Sequence, residues 1–458
     1  MKPTTQYNAS NAWNVNLNNG NVNNNTKTNG NQVRLVSEFC QNPDSPAALE
    51  FLDFAASFME AYFKCLSTKI NNPNAAFYAL RGLSSTINLA ADVWTGEYEI
   101  GRGIAFTVPR PVWREIFAAT FRDRIVHDWV MIREEPVFES VFPECITANR
   151  KGMGTLYAID MAQREIYRLT EGYTRNDLWI YTTDFQGFFM SIDKRILSKA
   201  VMALNKEHYK GRWPELLDKT FNQITFNCPQ LKAARRSPES TWQKNIAPEK
   251  SLYGQDKWHG LAIGNLPSQW SACVIVMLAL RIIQKYEVVD SIIDYMDDMI
   301  WLVKDKEKFL RTLPAIEKEL KETLNITLHP RKRNLQHYTK GWKMVGGKGK
   351  NCRLYASDRT IHRAEAKLKY LRSVHDVEGT FRSVNSYFGI LSKFSTYKFR
   401  KEEADKILKE FGREIYFNGQ LTKCVLKKKY NTREQVKSTI LRGRARTQTL
   451  NNLYENAA

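Results

Sequence analysis

The stretch Val288–Val303 (VVDSIIDYMDDMIWLV) places two adjacent aspartates between two apolar segments. β-Branched and aromatic residues favour strands, so the stretch predicts a β-hairpin with Asp297 and Asp298 at its turn. Adjacent carboxylates repel each other, and burying both is costly unless a cation shares them. Mg²⁺ binds in proteins through one or two carboxylates together with substrate phosphates. On this stretch alone, a magnesium site and a solvated Asp-Asp turn both remain open.

Length and composition narrow the class of protein. A chain of 458 residues can hold two or three domains. Lys plus Arg (68) exceed Asp plus Glu (48), and the formal net charge of +20 favours a polyanionic partner, with nucleic acid the leading candidate. Seven scattered cysteines without CxxC spacing indicate reduced thiols, with neither a zinc site nor a disulfide framework.

No signal-peptide pattern opens the sequence. The longest apolar run, Trp270–Ile283, is shorter than the ~20 residues that span a bilayer. We therefore expect a cytoplasmic protein without a membrane partner, in which this run is a buried helix.

The remaining segments differ sharply in pattern. Half of Asn8–Asn31 is Asn, so residues 1–34 predict a disordered tail that cannot bury enough apolar surface to fold. Apolar residues at helical spacing predict helices from Ser45 to about Ala91, interrupted at Pro73. Further predicted elements are a strand or hairpin at Tyr98–Val108, a helix at Trp113–Val130, a buried strand at Leu178–Thr183, mostly helix with a polar loop near Arg235–Lys250 in residues 193–260, and a helix at Lys306–Leu324.

A third carboxylate, Asp184, ends the predicted strand Leu178–Thr183. Carboxylates from two adjacent strands of one sheet are what a two-metal nucleotidyl transfer site requires. Backbone amides around Gly187 are candidates to approach a triphosphate. The ring of Phe189 is a candidate wall against a ribose 2′-hydroxyl, whereas Phe188 is expected in the core.

Six segments in this order resemble motifs of reverse transcriptases. They are Trp113–Val130, RKGMGT (150–155), DFQGFF (184–189), YMDD (295–298), LHPRKRN (328–334) and GWKMVG (341–346). The resemblance implies an α+β right-hand polymerase that holds two Mg²⁺, with Mn²⁺ as a substitute, at Asp184, Asp297 and Asp298. It implies fingers at 45–177 and 195–260, a palm at 178–194 and 261–346, and a thumb with a basic tail at 347–458.

A narrower resemblance rests on IGNLPSQ (263–269), where most reverse transcriptases carry QGxxxSP. This pattern, with REIFAATFRDRIVHD (114–128) and SVNSYFGILSKF (383–394), is similar to diversity-generating retroelement reverse transcriptases. The resemblance implies copying of a template repeat in the element's own RNA, with misincorporation opposite adenine. Ile263 in place of Gln removes an amide, so that selection rests more on shape. Implied partners are the retroelement RNA, the RNA–cDNA duplex, dNTPs and a basic, oligomeric accessory variability determinant protein.

These resemblances and the chemistry of the side chains assign candidate roles. Candidates for dNTP binding are Phe185, Gln186, Phe189, Arg150, Lys151 and Lys332. Candidates for fidelity or template–primer contact are Ile263, Gly264, Ser268, Gln269, Tyr295 and Met296. Candidates for phosphate-backbone contact are Arg114, Arg122, Arg124, Lys427, Lys428, Lys429, Arg442, Arg444 and Arg446. For the three fingers arginines, ion pairs with Glu115 and Asp123 are the alternative.

Two other functions remain open. One is a reverse transcriptase of the retron or group II intron type, and the other is a non-catalytic RNA-binding scaffold on the same fold. The Asn-rich segment Asn11–Val36 resembles a translated template repeat, and the alternative there is a generic disordered leader.

Overall fold

The computed structural model describes residues 45–69, 72–109 and 112–427. The predicted tail at 1–34 lies outside these ranges, as do Lys428, Lys429, Arg442, Arg444 and Arg446. The chain divides into two compact units. The first contains the described residues of Met1–Gly154, Thr183–Met299 and Lys306–Arg333, and the second those of Thr155–Thr182, Ile300–Asp305 and Asn334–Ala458.

The helices and strands are as follows. The helices are α1 (Pro46–Lys69), α2 (Pro73–Ala79), α3 (Gly82–Thr95), α4 (Phe121–Val141), α5 (Thr155–Leu169), α6 (Phe188–Ser191), α7 (Lys194–His208), α8 (Pro214–Phe226), α9 (Glu239–Asn245), α10 (Leu266–Lys285), α11 (Lys306–Leu324), α12 (Asp358–Ser373), α13 (Val377–Leu391) and α14 (Tyr397–Phe411). The strands are β1 (Ile104–Val108), β2 (Arg114–Ala118), β3 (Trp179–Thr183), β4 (Ala234–Arg235), β5 (Ser291–Tyr295), β6 (Asp298–Val303), β7 (Asn334–His337), β8 (Trp342–Met344), β9 (Gly347–Lys350), β10 (Arg353–Ala356), β11 (Ile415–Phe417) and β12 (Cys424–Leu426).

The N-terminal helices of the first unit confirm the predicted periodicity. Phe51, Phe54 and Phe58 are buried along one face of α1. The interruption at Pro73 is the start of α2, where proline costs no hydrogen bond because the first amides of a helix have no intrahelical partner. Asn72 caps this helix, since its side chain accepts a hydrogen bond from the Asn74 amide at 2.9 Å.

The helix predicted over Trp113–Val130 is wrong in its first part. Residues 114–118 form β2, which pairs with β1 in antiparallel register, while β4 pairs with β1 in parallel. Glu115 and Phe117 alternate as buried residues, which is the periodicity of a strand. The helix starts only after Thr120, whose hydroxyl accepts from the Asp123 amide at 3.1 Å.

Helix α10 is the apolar run that we expected to be buried. It begins at Leu266, four residues before the predicted start, because Pro267 is tolerated in a first helical turn. By length and composition it could cross a membrane, but 67% of its most apolar window is buried inside the protein. A short helix, α9, also forms in the predicted polar loop, where Trp242 is buried.

The β-hairpin predicted at Val288–Val303 is confirmed as β5 and β6. The sheet that contains it has the strand order β5-β6-β3-β7. In the second unit, β3 pairs with β7 in antiparallel register, with Trp179 opposite His337. The helix predicted at Lys306–Leu324 is confirmed as α11 with the same bounds.

The C-terminal part of the second unit combines helices with small sheets. Strands β8, β9 and β10 form an antiparallel meander, so the GWKMVG stretch is part of a hairpin. Helices α12–α14 and the β11–β12 hairpin follow, with a core that includes Leu368, Phe388 and Ile407. The α+β class is confirmed, and the division into fingers, palm and thumb stays a prediction.

Candidate active site

The three aspartates of the candidate site lie at the ends of neighbouring strands. Asp184 follows β3 directly, Asp298 begins β6, and β6 is the neighbour of β3 in the sheet. Asp297 precedes β6 in a turn where Met296 adopts a left-handed conformation (φ 68°). The backbone after β3 is held in place, since the Asp184 carbonyl accepts from the His329 amide at 2.8 Å. Two strands that are distant in the chain therefore deliver the carboxylates to one place.

The negative charges of Asp184 and Asp298 affect the pKa of Asp297. The pKa of Asp297 is raised to about 6, first by burial and then by the negative charges of Asp184 and Asp298. The positive charge of Lys332 acts in the opposite direction. The Lys332 ammonium forms an ion pair with Oδ2 of Asp184. The other oxygen, Oδ1 of Asp184, is buried without a hydrogen-bond partner.

The chemistry of these oxygens suits a hard divalent cation, and binding of a metal ion here stays a prediction. Carboxylate oxygens are the ligands that Mg²⁺ prefers, and converging negative charges with a spare buried oxygen favour a cation. Within the described residues, no group of three or more His, Cys, Asp or Glu side chains is drawn together as closely as metal ligands. Lys332 instead supplies the positive charge at Asp184, and its side chain is 59% exposed.

The DFQGFF segment is only partly available to a nucleotide. Phe185 is 2% exposed and its ring packs 5.1 Å from that of Phe188, so Phe185 can reach a dNTP only through its backbone. Burial of Phe188 confirms its predicted core position. Phe189 is half-buried, and its role as a ribose wall stays a prediction. The backbone amide of Gln186 donates to the Thr327 carbonyl at 2.8 Å. The side chain of Gln186 is exposed and is therefore the group that can contact a dNTP.

The IGNLPSQ segment is anchored on β2. The Ile263 carbonyl accepts from the Phe117 amide at 2.8 Å. Gly264 has a φ of 115°, and a Cβ there would lie 2.7 Å from Cγ2 of Ile116, so this close approach requires glycine. Gln269 is exposed and Ser268 is half-buried, which leaves both accessible.

The Arg150 side chain has partners within the protein, and its contact with a triphosphate stays a prediction. Its Nε forms an ion pair with Oε2 of Glu139 at 2.8 Å, and its Nη1 donates to the carbonyls of Pro143 (2.9 Å) and Ile146 (3.2 Å). The side chain is only 9% exposed, because it closes the loop that follows α4. Lys151 is exposed, so its side chain is accessible to a dNTP, and its contact with the triphosphate also stays a prediction.

The fingers arginines differ from one another. Arg122 forms an ion pair with Asp92 at 2.5 Å, and not with Glu115 or Asp123, the partners that the alternative named. Arg124 donates through Nε to the Ala119 carbonyl at 3.1 Å, and Arg114 is exposed.

Contact of these arginines with phosphates stays a prediction. It stays one for Lys427 as well, which is exposed and whose ammonium donates to the Gly412 carbonyl at 2.5 Å.

Sequence reasoning missed two polar residues around the hairpin. Asp294 is fully buried, and the pKa of its carboxyl is raised well above the ordinary value, first by burial and then by the negative charges of Asp297 and Asp298. Asn149 donates through Nδ2 to the Gln269 carbonyl (3.2 Å) and to Sδ of Met296 (3.5 Å). It thereby joins α10 to the hairpin turn. A polar residue among the apolar residues of β5 was the visible signal for Asp294, whereas nothing local marked Asn149.

The chain is similar to solved structures, whereas its sequence matches neither a family model nor a curated protein. The fold is similar to apo telomerase from Candida tropicalis, with a TM-score of 0.43, 10% identity, and 68% of this chain and 60% of that chain covered. It is also similar to telomerase from Candida albicans in complex with a TWJ fragment of telomeric RNA (TM-score 0.37, 9% identity, 70% and 61% covered). The chain thus spans about 60% of the length of these telomerases.

Proposed function

We propose that the chain is a template-directed nucleotidyltransferase with three aspartates in its active site. The observation that carries this proposal is the meeting of Asp184, after β3, with Asp297 and Asp298, beside β6. A non-catalytic scaffold has no need to keep three mutually repelling carboxylates, because their proximity costs folding free energy.

In this reaction the 3′-hydroxyl of a primer attacks the α-phosphate of a dNTP and releases pyrophosphate. When bound at Asp184, Asp297 and Asp298, two Mg²⁺ ions would lower the pKa of that hydroxyl and neutralise the triphosphate. Lys332, now paired with Asp184, is long and exposed enough to turn towards the departing pyrophosphate.

The particular enzyme that we propose is an RNA-directed DNA polymerase of the diversity-generating retroelement type. It would copy the template repeat of its own element's RNA in the cytoplasm, with an accessory variability determinant protein. Support comes from Ile263, which is half-buried and, like Phe189, packs against one buried apolar cluster. An aliphatic side chain there offers shape and no hydrogen bond, which suits loose selection of the base pair.

A primer-extension assay tests the proposal. We expect DNA synthesis on poly(rA) and on heteropolymeric RNA with Mg²⁺, and none after chelation. Asp297→Asn should abolish it, whereas the control Asp405→Asn, an exposed aspartate on α14, should not. Absence of any DNA product from the wild type would instead favour the RNA-binding scaffold.

The finer proposal needs the error spectrum. Products made with the accessory protein present should carry substitutions mainly opposite template adenines. Accurate copying of adenine under these conditions would favour the retron or group II intron type.

A further inference from the structure

The carboxylate of Glu115 is buried on β2, outside the catalytic cluster. The residue is 1% exposed, and both carboxylate oxygens accept hydrogen bonds. Oε2 accepts from Nε1 of Trp242 at 2.9 Å and from Oγ of Ser251 at 2.8 Å, and Oε1 accepts from the Leu252 amide. A buried carboxylate is tolerated only when it is hydrogen-bonded in this way. These bonds tie the segment 239–254 to β2.

The same strand holds the candidate fidelity segment. Two residues after Glu115, the Phe117 amide donates to the Ile263 carbonyl at 2.8 Å. Two residues before Ile263, the Leu261 amide donates to the Phe189 carbonyl at 2.8 Å. One chain of backbone hydrogen bonds therefore links β2, Ile263 and Phe189.

The segment tied by Glu115 also packs behind these two side chains. Trp242, Ile246 and Leu252 are buried in one cluster, against which the half-buried side chains of Phe189 and Ile263 pack. The segment also approaches the start of α6, since a Cβ on Gly187 would lie 3.3 Å from the Glu249 carbonyl oxygen. Phe189 and Ile263 thus share a support that Glu115 fastens to β2.

We infer that Glu115 is a positioning residue for substrate selection, which fixes Phe189 and Ile263 through Trp242 and Leu252. The inference rests on the proposed function, in which these two side chains test the sugar and the base pair of the incoming nucleotide. Side chains that select a substrate must be held in position by the packing and hydrogen bonds of the residues around them. If segment 239–254 is less firmly held, Phe189 and Ile263 become more mobile and discriminate less between correct and incorrect nucleotides. The three catalytic aspartates keep their own strand contacts.

The test compares Glu115→Gln with Glu134→Gln in the full chain. The new amide at residue 115 turns an NH₂ group towards the donors, so that at least one buried donor loses its acceptor. Glu134 is a matched control because it is also a buried glutamate, but it accepts from Asn205 at 2.9 Å and lies outside the cluster. Trp242→Phe, which removes a single donor, serves if Glu115→Gln does not fold.

Two measurements separate positioning from catalysis. Hydrogen–deuterium exchange at the Phe117 and Leu261 amides should rise about tenfold in Glu115→Gln and stay unchanged in Glu134→Gln. The preference for dNTP over rNTP, measured as a ratio of kcat/KM values, should fall about tenfold in Glu115→Gln alone.

Unchanged exchange at both amides would overturn the positioning role, whether or not the chain polymerises. Faster exchange with unchanged selectivity would overturn the role in substrate selection. A wild type that makes no DNA contradicts the proposed function and, with it, the role in selection, whereas the exchange result still decides the positioning role.

Discussion

Replacement of Lys332 by alanine should affect cation binding and DNA synthesis in opposite directions. In the structure the Lys332 ammonium is paired with Asp184, the carboxylate that follows β3. A divalent cation must compete with this ammonium for Asp184. During synthesis, however, the same positive charge is expected to stabilise the departing pyrophosphate. Lys332→Ala should therefore bind the cation more tightly and extend a primer more slowly.

The expected change in cation affinity is small and the expected change in the rate of synthesis is large. The Lys332 side chain is 59% exposed and that of Asp184 is 14% exposed, so solvent screens the pair. Such pairs are worth at most about 1 kcal/mol, and their loss should tighten Mn²⁺ binding by up to about fivefold. Loss of a charge that stabilises the transition state typically costs about 10²–10³ in rate. Free Mn²⁺ measured by electron paramagnetic resonance gives the affinity, and single-nucleotide extension gives the rate.

The neighbouring Arg331 provides a matched control. It is exposed, and Arg331→Ala removes the same charge one residue away. Cation affinity and synthesis should both stay within about twofold of wild type, the level expected for a screened surface charge. Weaker Mn²⁺ binding by Lys332→Ala, or equal effects of the two variants on synthesis, would refute this account of Lys332.

Three further predictions concern other parts of the first unit. Burial raises the pKa of Glu134 to about 8, above its ordinary value of 4.5, so folded-state stability should fall as pH rises between these values. Urea unfolding should show a loss of about 3 kcal/mol between pH 5.5 and 8.5 that Glu134→Gln lacks, and an equal pH slope in both proteins would contradict this. Gly264→Ala should destabilise the protein by about 2 kcal/mol in thermal unfolding, because φ is 115° and the new Cβ meets Ile116; an unchanged melting temperature would argue against the strain. Arg150→Ala should lower stability by about 2 kcal/mol because it removes the ion pair with half-buried Glu139 and leaves two carbonyls without their donor, whereas Lys151→Ala should spare stability and raise the KM for dNTP about tenfold. The reverse pattern in these two variants would favour Arg150 as the triphosphate ligand.

Local patterns explain which elements could be predicted. The hairpin at β5–β6, strand β3 and helix α11 each combine a clear periodicity with turn residues at their ends, and all three are confirmed. Strand β2 was mistaken for helix because the segment REIFA is short and continues directly into the helical residues of α4. Five residues are too few to distinguish the period of a strand from that of a helix, so pairing with β1 decided the outcome.

The candidate site, too, has parts that the sequence could predict and parts that it could not. The positions of Asp184, Asp297 and Asp298 at the ends of strands could be predicted from the sequence because the apolar pattern of each strand is strong. Partners of long polar side chains could not, because they depend on which distant segment packs nearby. The ion pair of Arg150 with Glu139 and its hydrogen bonds to two carbonyls, for example, could not be read from the sequence.

By itself, the sequence determined the three aspartates, the strands that carry them and the basic character of the chain. These depend on residue types and on periodicities within one segment. Only the tertiary structure decided that Lys332 pairs with Asp184 and that Glu115 joins β2 to the segment behind Phe189 and Ile263. Contacts of this kind join residues more than 100 positions apart, so no periodicity within one segment can indicate them; they form only when folding brings the two segments together.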